Sequence, residues 1–131
     1  MPPRILDAQS LKIREDNIIS VAIEIIEQGG IENLTMDKVV AKVLYSKGTV
    51  YKHFSGKEDL LLAISNQAIA ILADLFWRAS LFGGCARIRM LLLNISYLIY
   101  AILHPALFKT QICSKSPNVY GKSSSERIEE Q

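Results

Sequence analysis

The chain has 131 residues, half of them hydrophobic, enough for one packed domain or two small layers sharing a core; a chain disordered throughout is excluded. A net charge of only +2 excludes a protein basic over its whole surface, so any nucleic-acid footprint must be local. The two cysteines, Cys85 and Cys113, form no CxxC pair and have no neighbouring His pair, which argues against a metal site and for two reduced, mostly buried thiols.

The chain opens MPPRILDAQSLKIRED, without the long apolar stretch of a signal peptide, and a cytoplasmic protein is expected. Nearly everything after it reads as helix with short breaks. The first helix is expected over 15–28, with Ile18, Ala22, Ile25 and Ile26 on one face at helical spacing. Gly29-Gly30 stops it, because glycine takes the left-handed cap without strain. Thr35 is a good N-cap for a short second helix over 36–43. Asp37 sits in its first turn, and Leu34 can staple onto Val39. Ser46 caps a third helix running to about Lys52. Two short helices joined by so tight a turn form a helix-turn-helix.

Phe54 closes that unit and Ser55-Gly56 breaks the chain. A long fourth helix is expected over 57–80, where Leu60, Leu61, Ile64, Ala68, Ile71, Leu72 and Leu75 recur at threes and fours. Phe82-Gly83-Gly84 ends it. A fifth helix over 86–103 is apolar nearly all round, so burial on most faces is expected. Its apolar run, Met90 to Leu103, is 14 residues with Asn94 and Ser96 inside it. A membrane span needs about 20, so a core helix is expected and no membrane partner. Pro105 permits a sixth helix over 106–113. SKSPNVYGKSSSE reads as a loop, and Ser125 as the cap of a last helix.

The chemistry sits in TMDKVVAKVLYSKGTVYKHF, residues 35–54, which carries five Lys or His residues against one Asp. A recognition helix enters the major groove with its first residues against base edges. Ser46, Gly48 and Thr49 are small enough for close approach; Lys47 and Lys52 add reach and charge. Gly48 in a first turn costs roughly 1 kcal/mol against Ala, so stability alone does not ask for it. Tyr51 and His53 can donate to phosphates, as Thr35 can from the second helix, and Lys57 can meet a phosphate at the start of the fourth. Each has a plainer alternative: a turn glycine, a core aromatic, a solvated lysine face. His53 and His104 have no ligand partners at metal spacing, and no metal or cofactor is expected. No Ser/His/Asp set, carboxylate pair or phosphate loop can be placed, which argues against an enzyme.

Residues 12–72 resemble the DNA-binding domain of the tetracycline-repressor (TetR) family of bacterial transcriptional regulators. The resemblance is carried by Gly29-Gly30, LTMDKVVAK and above all SKGTVYKHFSGKEDLL; RMLLLNISYLIYAILHPALF resembles the start of a TetR-type regulatory domain. It implies an all-α fold: a three-helix bundle, a linking fourth helix, then a partial helical ligand-binding and dimerisation domain over 73–131. It implies a repressor controlled by a small hydrophobic ligand and acting as a homodimer on a palindromic operator in double-stranded DNA. Thr35, Tyr51, His53 and Lys57 would meet phosphates, and Ser46, Lys47, Gly48, Thr49 and Lys52 the groove. Tyr97 and Tyr100, three apart, could line a ligand pocket or simply be core. Two departures stand out. Family members usually have Gly where Leu44 stands, so a turn of different geometry is expected. Family members are also longer, so truncation at the C-terminus is expected, without the helices that build the usual dimer. The rival reading is a helical interaction or membrane-surface protein without specific DNA binding.

Overall fold

The computed structural model describes residues 7–114, and in them six α-helices and one short 3-10 turn. The loop and last helix expected beyond Ser114 lie outside the described residues. Helix α1 spans Ala8–Gly29, seven residues longer at its start than the periodicity suggests. The cause is local: the Asp7 carboxylate accepts from the Ser10 backbone N–H at 3.0 Å and caps a start earlier than the apolar stripe. The same bonds from Ser10 hold the Asp7 carboxyl below its ordinary pKa. At the other end Gly30 stands at φ +79, and its N–H donates to the Ile26 carbonyl.

A 3-10 turn over Ile31–Asn33 leads into α2, Met36–Lys42, and α3, Lys47–His53. Helices α4, Lys57–Ser80, α5, Ala86–Leu103, and α6, Pro105–Ser114, follow. The core joins Ile18, Ala22, Ile25 and Ile26 of α1 to Leu34, Val39, Val50, Phe54 and the inner face of α4. It continues to Tyr100 of α5 and Ala106 and Leu107 of α6. Helix α6 packs along α4 and reaches α1.

Helix α5 departs from expectation. Tyr100 is its one buried residue, and most of its apolar side chains face outward. An all-round apolar helix is buried only where other elements cover it, and α4 and α6 cover one side. Its bounds are those expected, and its 18 residues are long enough for a span although the apolar run within it is shorter. By length and composition α4 and α5 could each cross a membrane, though much of α4 is packed inside the fold. Cys85, expected buried, is exposed at the start of α5, where the chain leaves the core. The side chain of Cys113 lies outside the described residues.

The Tyr100 hydroxyl is buried with no hydrogen-bond partner among the described residues, and burial pushes its pKa above the ordinary 10.0. Tyr100→Phe should therefore stabilise the chain by roughly 1–3 kcal/mol, since an unsatisfied buried hydroxyl is removed. The parent should also lose stability above pH 10.0, where the unfolded phenol ionises first, while the variant lacks that part of the loss. Urea titrations at pH 7 and pH 10.5 check both; a variant less stable than the parent at pH 7 contradicts the reading.

Candidate nucleic-acid interface

The helix-turn-helix is assembled from caps and two buried anchors. The Thr35 hydroxyl accepts from the Lys38 N–H at 3.3 Å and starts α2, while Leu34 and Val39 are both fully buried. The Ser46 hydroxyl accepts from the Thr49 N–H at 3.2 Å and bonds the Thr49 hydroxyl at 2.9 Å, which starts α3. Val50 is the buried residue of α3, and Phe54 is buried at its end. Between the helices no residue adopts a left-handed backbone. Val43 is extended at φ −80, ψ 155, as the Leu44 departure leads one to expect, and Leu44 itself is 99% exposed. Tyr45 packs back toward α1: its hydroxyl accepts from the Asn17 amide at 3.0 Å, and the Arg14 guanidinium lies 5.5 Å from its ring centroid.

With Val50 turned inward, Ser46, Lys47, Gly48, Tyr51 and Lys52 are exposed together, with Thr49 half-buried beside them. Lys47 is poised over two groups. Its Nζ lies 3.9 Å from the Asp37 carboxylate and 5.8 Å from the centroid of Tyr51. Gly48 has no internal reason to be glycine, since a Cβ there would meet only Ser46 Oγ at 4.0 Å. Lys38 and Lys42 are tied to the frame instead: Lys38 donates to the Asn33 carbonyl and side chain, and Lys42 to Glu24 at 3.1 Å and Gln28 at 3.3 Å.

His53 is turned toward α1 and only 11% exposed, with Nδ1 3.5 Å from a Glu15 oxygen. Lys57 begins α4 half-buried, beside Glu58 and Asp59 in the same turn. Thr35 is exposed at the start of α2. Tyr97 and Tyr100 lie far along the chain on α5. Tyr97 meets Phe76 and Phe108 edgewise or tilted, Tyr100 meets His104 and Phe108, and neither lines a described cavity. Among the described residues no cluster of His, Cys, Asp or Glu could hold a metal ion.

The family described as bacterial regulatory proteins, tetR family, matches residues 18–64. Residues 18–64 are thus a tetR-type segment. The match runs from Ile18, the first fully buried residue of α1, to Ile64 in α4, so it covers the framework that holds α3. Over 50 residues the tetR-family segment is 36% identical to the uncharacterized HTH-type transcriptional regulator Rv1556 of Mycobacterium tuberculosis, across 38% of this chain and 25% of that protein. Over 57 residues it is 33% identical to the uncharacterized HTH-type transcriptional regulator TtgW of Pseudomonas putida, across 44% of this chain and 42% of that one. The matched stretch thus spans well under half the length of these curated relatives. The solved structure of a protein with unknown function from Rhodococcus sp. RHA1 aligns over 99% of this chain and 63% of its own, with a TM-score of 0.72 and 21% identity, so the fold is shared.

Three residues that fix this interface escaped the sequence reading, and a fourth has a second role. Asp37 was read as a dipole partner and also faces Lys47. Glu15 holds His53, and Asn17 holds Tyr45. Asp59 is buried and accepts from the Ser55 N–H at 3.0 Å and the Ser55 hydroxyl at 3.4 Å, closing the corner between α3 and α4. The last had a visible signal, a serine shortly before acidic residues at a helix start.

Proposed function

We propose that this chain is a sequence-specific DNA-binding transcriptional regulator, with α3 as the helix that enters the major groove. One observation carries the reading: the outward face of α3 is small and basic, with a glycine at 48 that the fold itself does not require. Ser46, Lys47, Gly48, Thr49 and Lys52 face base edges, and Thr35, Tyr51 and Lys57 meet the phosphates. His53 reaches the backbone only with what its Glu15 contact leaves exposed, so its larger share is to fix the end of α3. Repression, relief by a small hydrophobic ligand near Tyr97 and Tyr100, action in the cytoplasm and pairing on a palindrome are the finer parts of the proposal. They are supported by the tetR-family match of residues 18–64, and a concentration-dependent rise in melting temperature would register the ligand.

Affinity for duplex DNA measured against salt tests the core claim. Binding should fall steeply as salt rises, because phosphate contacts release counterions. Lys57→Ala should flatten the slope by about one unit on every sequence. Binding without salt dependence refutes the reading; an unchanged slope removes Lys57 from the phosphate set.

A further inference from the structure

The outward face of α5 carries a pattern that the DNA reading does not use. Ile88, Leu91, Ile95, Leu98 and Ile102 recur at threes and fours, all exposed, and the stripe runs about 21 Å along the helix. Tyr100, on the opposite side, is buried against the chain's own core, so the stripe points away from it. At the turn between α4 and α5, Trp77, Leu81 and Phe82 add large apolar side chains that are 62–67% exposed. Apolar surface this continuous marks a docking face.

Charge names the occupant. Residues 75–114 contain Arg78, Arg87, Arg89 and Lys109 and no Asp or Glu. Arg78 is held by Asp74 at 2.8 Å, whereas Arg87, Arg89 and Lys109 have no carboxylate partner among the described residues. We propose that this face lies on an anionic lipid bilayer, with α5 parallel to the membrane surface. The stripe sits at the acyl boundary, and the long stems of Arg87 and Arg89 carry their guanidinium groups to the headgroup phosphates. A second copy of the chain would bring the same positive charges instead of their complement. An uncharged apolar partner would leave the arginines unanswered.

The packing fits a helix that lies on the bilayer better than one that crosses it. One side of α5 is committed to α4 and α6, and Tyr100 joins it to the core; a span would have to break that side free. The polar side chains inside the apolar run have spent a donor on their own helix. The Asn94 amide donates to the Met90 carbonyl at 2.7 Å, and the Ser96 hydroxyl to the Leu92 carbonyl at 2.8 Å. That lowers the cost of bringing them beside lipid.

The proposal is independent of the DNA reading and is tested without DNA. The 131-residue chain should co-sediment with vesicles of equal parts phosphatidylglycerol and phosphatidylcholine. Binding should be at least tenfold tighter than to phosphatidylcholine alone, and added salt should weaken it. Arg87→Gln together with Arg89→Gln should cost at least tenfold on the anionic vesicles, since each arginine near a charged surface is worth about fivefold. Leu91→Gln together with Leu98→Gln should also cost at least tenfold, while far-UV circular dichroism stays as helical as that of the parent. A chain that stays off the anionic vesicles overturns the proposal, as does equal binding to both kinds of vesicle. So does vesicle binding that either double variant leaves intact. A chain that pairs with a second copy through this face and ignores the vesicles overturns it as well.

Discussion

Phe54→Ala should remove about 3–5 kcal/mol of folding stability. The ring is fully buried at the junction where α3 ends and the chain turns into α4, and its N–H donates to the Val50 carbonyl at 3.0 Å. Truncation leaves a cavity in the core cluster that also holds Ile18, Val50 and Leu60, and the side-chain caps of Ser46 and Asp59 on either side keep the chain from closing over it. Whole domains are stable by only about 5–15 kcal/mol, so the variant should be partly unfolded at physiological temperature. Urea unfolding measures it. A loss below about 1 kcal/mol would mean that α3 is anchored elsewhere.

Lys47→Ala should weaken binding to the proper operator by about 1–3 kcal/mol more than binding to random DNA, because a base-edge contact carries discrimination. Equal losses on both DNAs would move Lys47 to the phosphate set. Two neighbouring substitutions sharpen the test. Asp37→Ala removes the carboxylate 3.9 Å from Lys47, a pair with side chains 88% and 67% exposed. Stability should change by less than about 1 kcal/mol, as for other exposed pairs. Affinity for every DNA should rise, since a negative charge near the phosphates is lost. Gly48→Ala should have opposite effects on its two readouts. The helix gains roughly 0.5–1 kcal/mol, and operator binding falls because a methyl group stands where the groove must come close. A variant both more stable and equally tight would show that nothing approaches Gly48.

The helices were legible because their ends are written locally. Thr35, Ser46 and Gly30 cap where their side chains or backbone freedom say they should, and α4 begins at Lys57 and ends at Ser80 as its pattern demands. The all-α class follows from those signals. What periodicity cannot supply is a partner. The all-round apolar pattern of α5 reads as burial, yet burial depends on which surfaces arrive, and only α4 and α6 do. The site divides the same way. Which residues α3 presents could be read from one buried position, Val50. The contacts of His53 with Glu15, and of Tyr45 with Asn17 and Arg14, join α1 to residues 28 or more positions away. No local rule pairs residues at such separations.

Helix α3 has seven residues, too few to stand alone in water, and it exists because Val50 and Phe54 are buried beneath it. The division of labour has an evolutionary side. Most outward positions of α3 contribute little to folding, so their side chains can be exchanged at small cost in stability. A lineage carrying this framework can drift from one operator to another by point mutation while Val50, Phe54 and the Ser46 cap stay fixed.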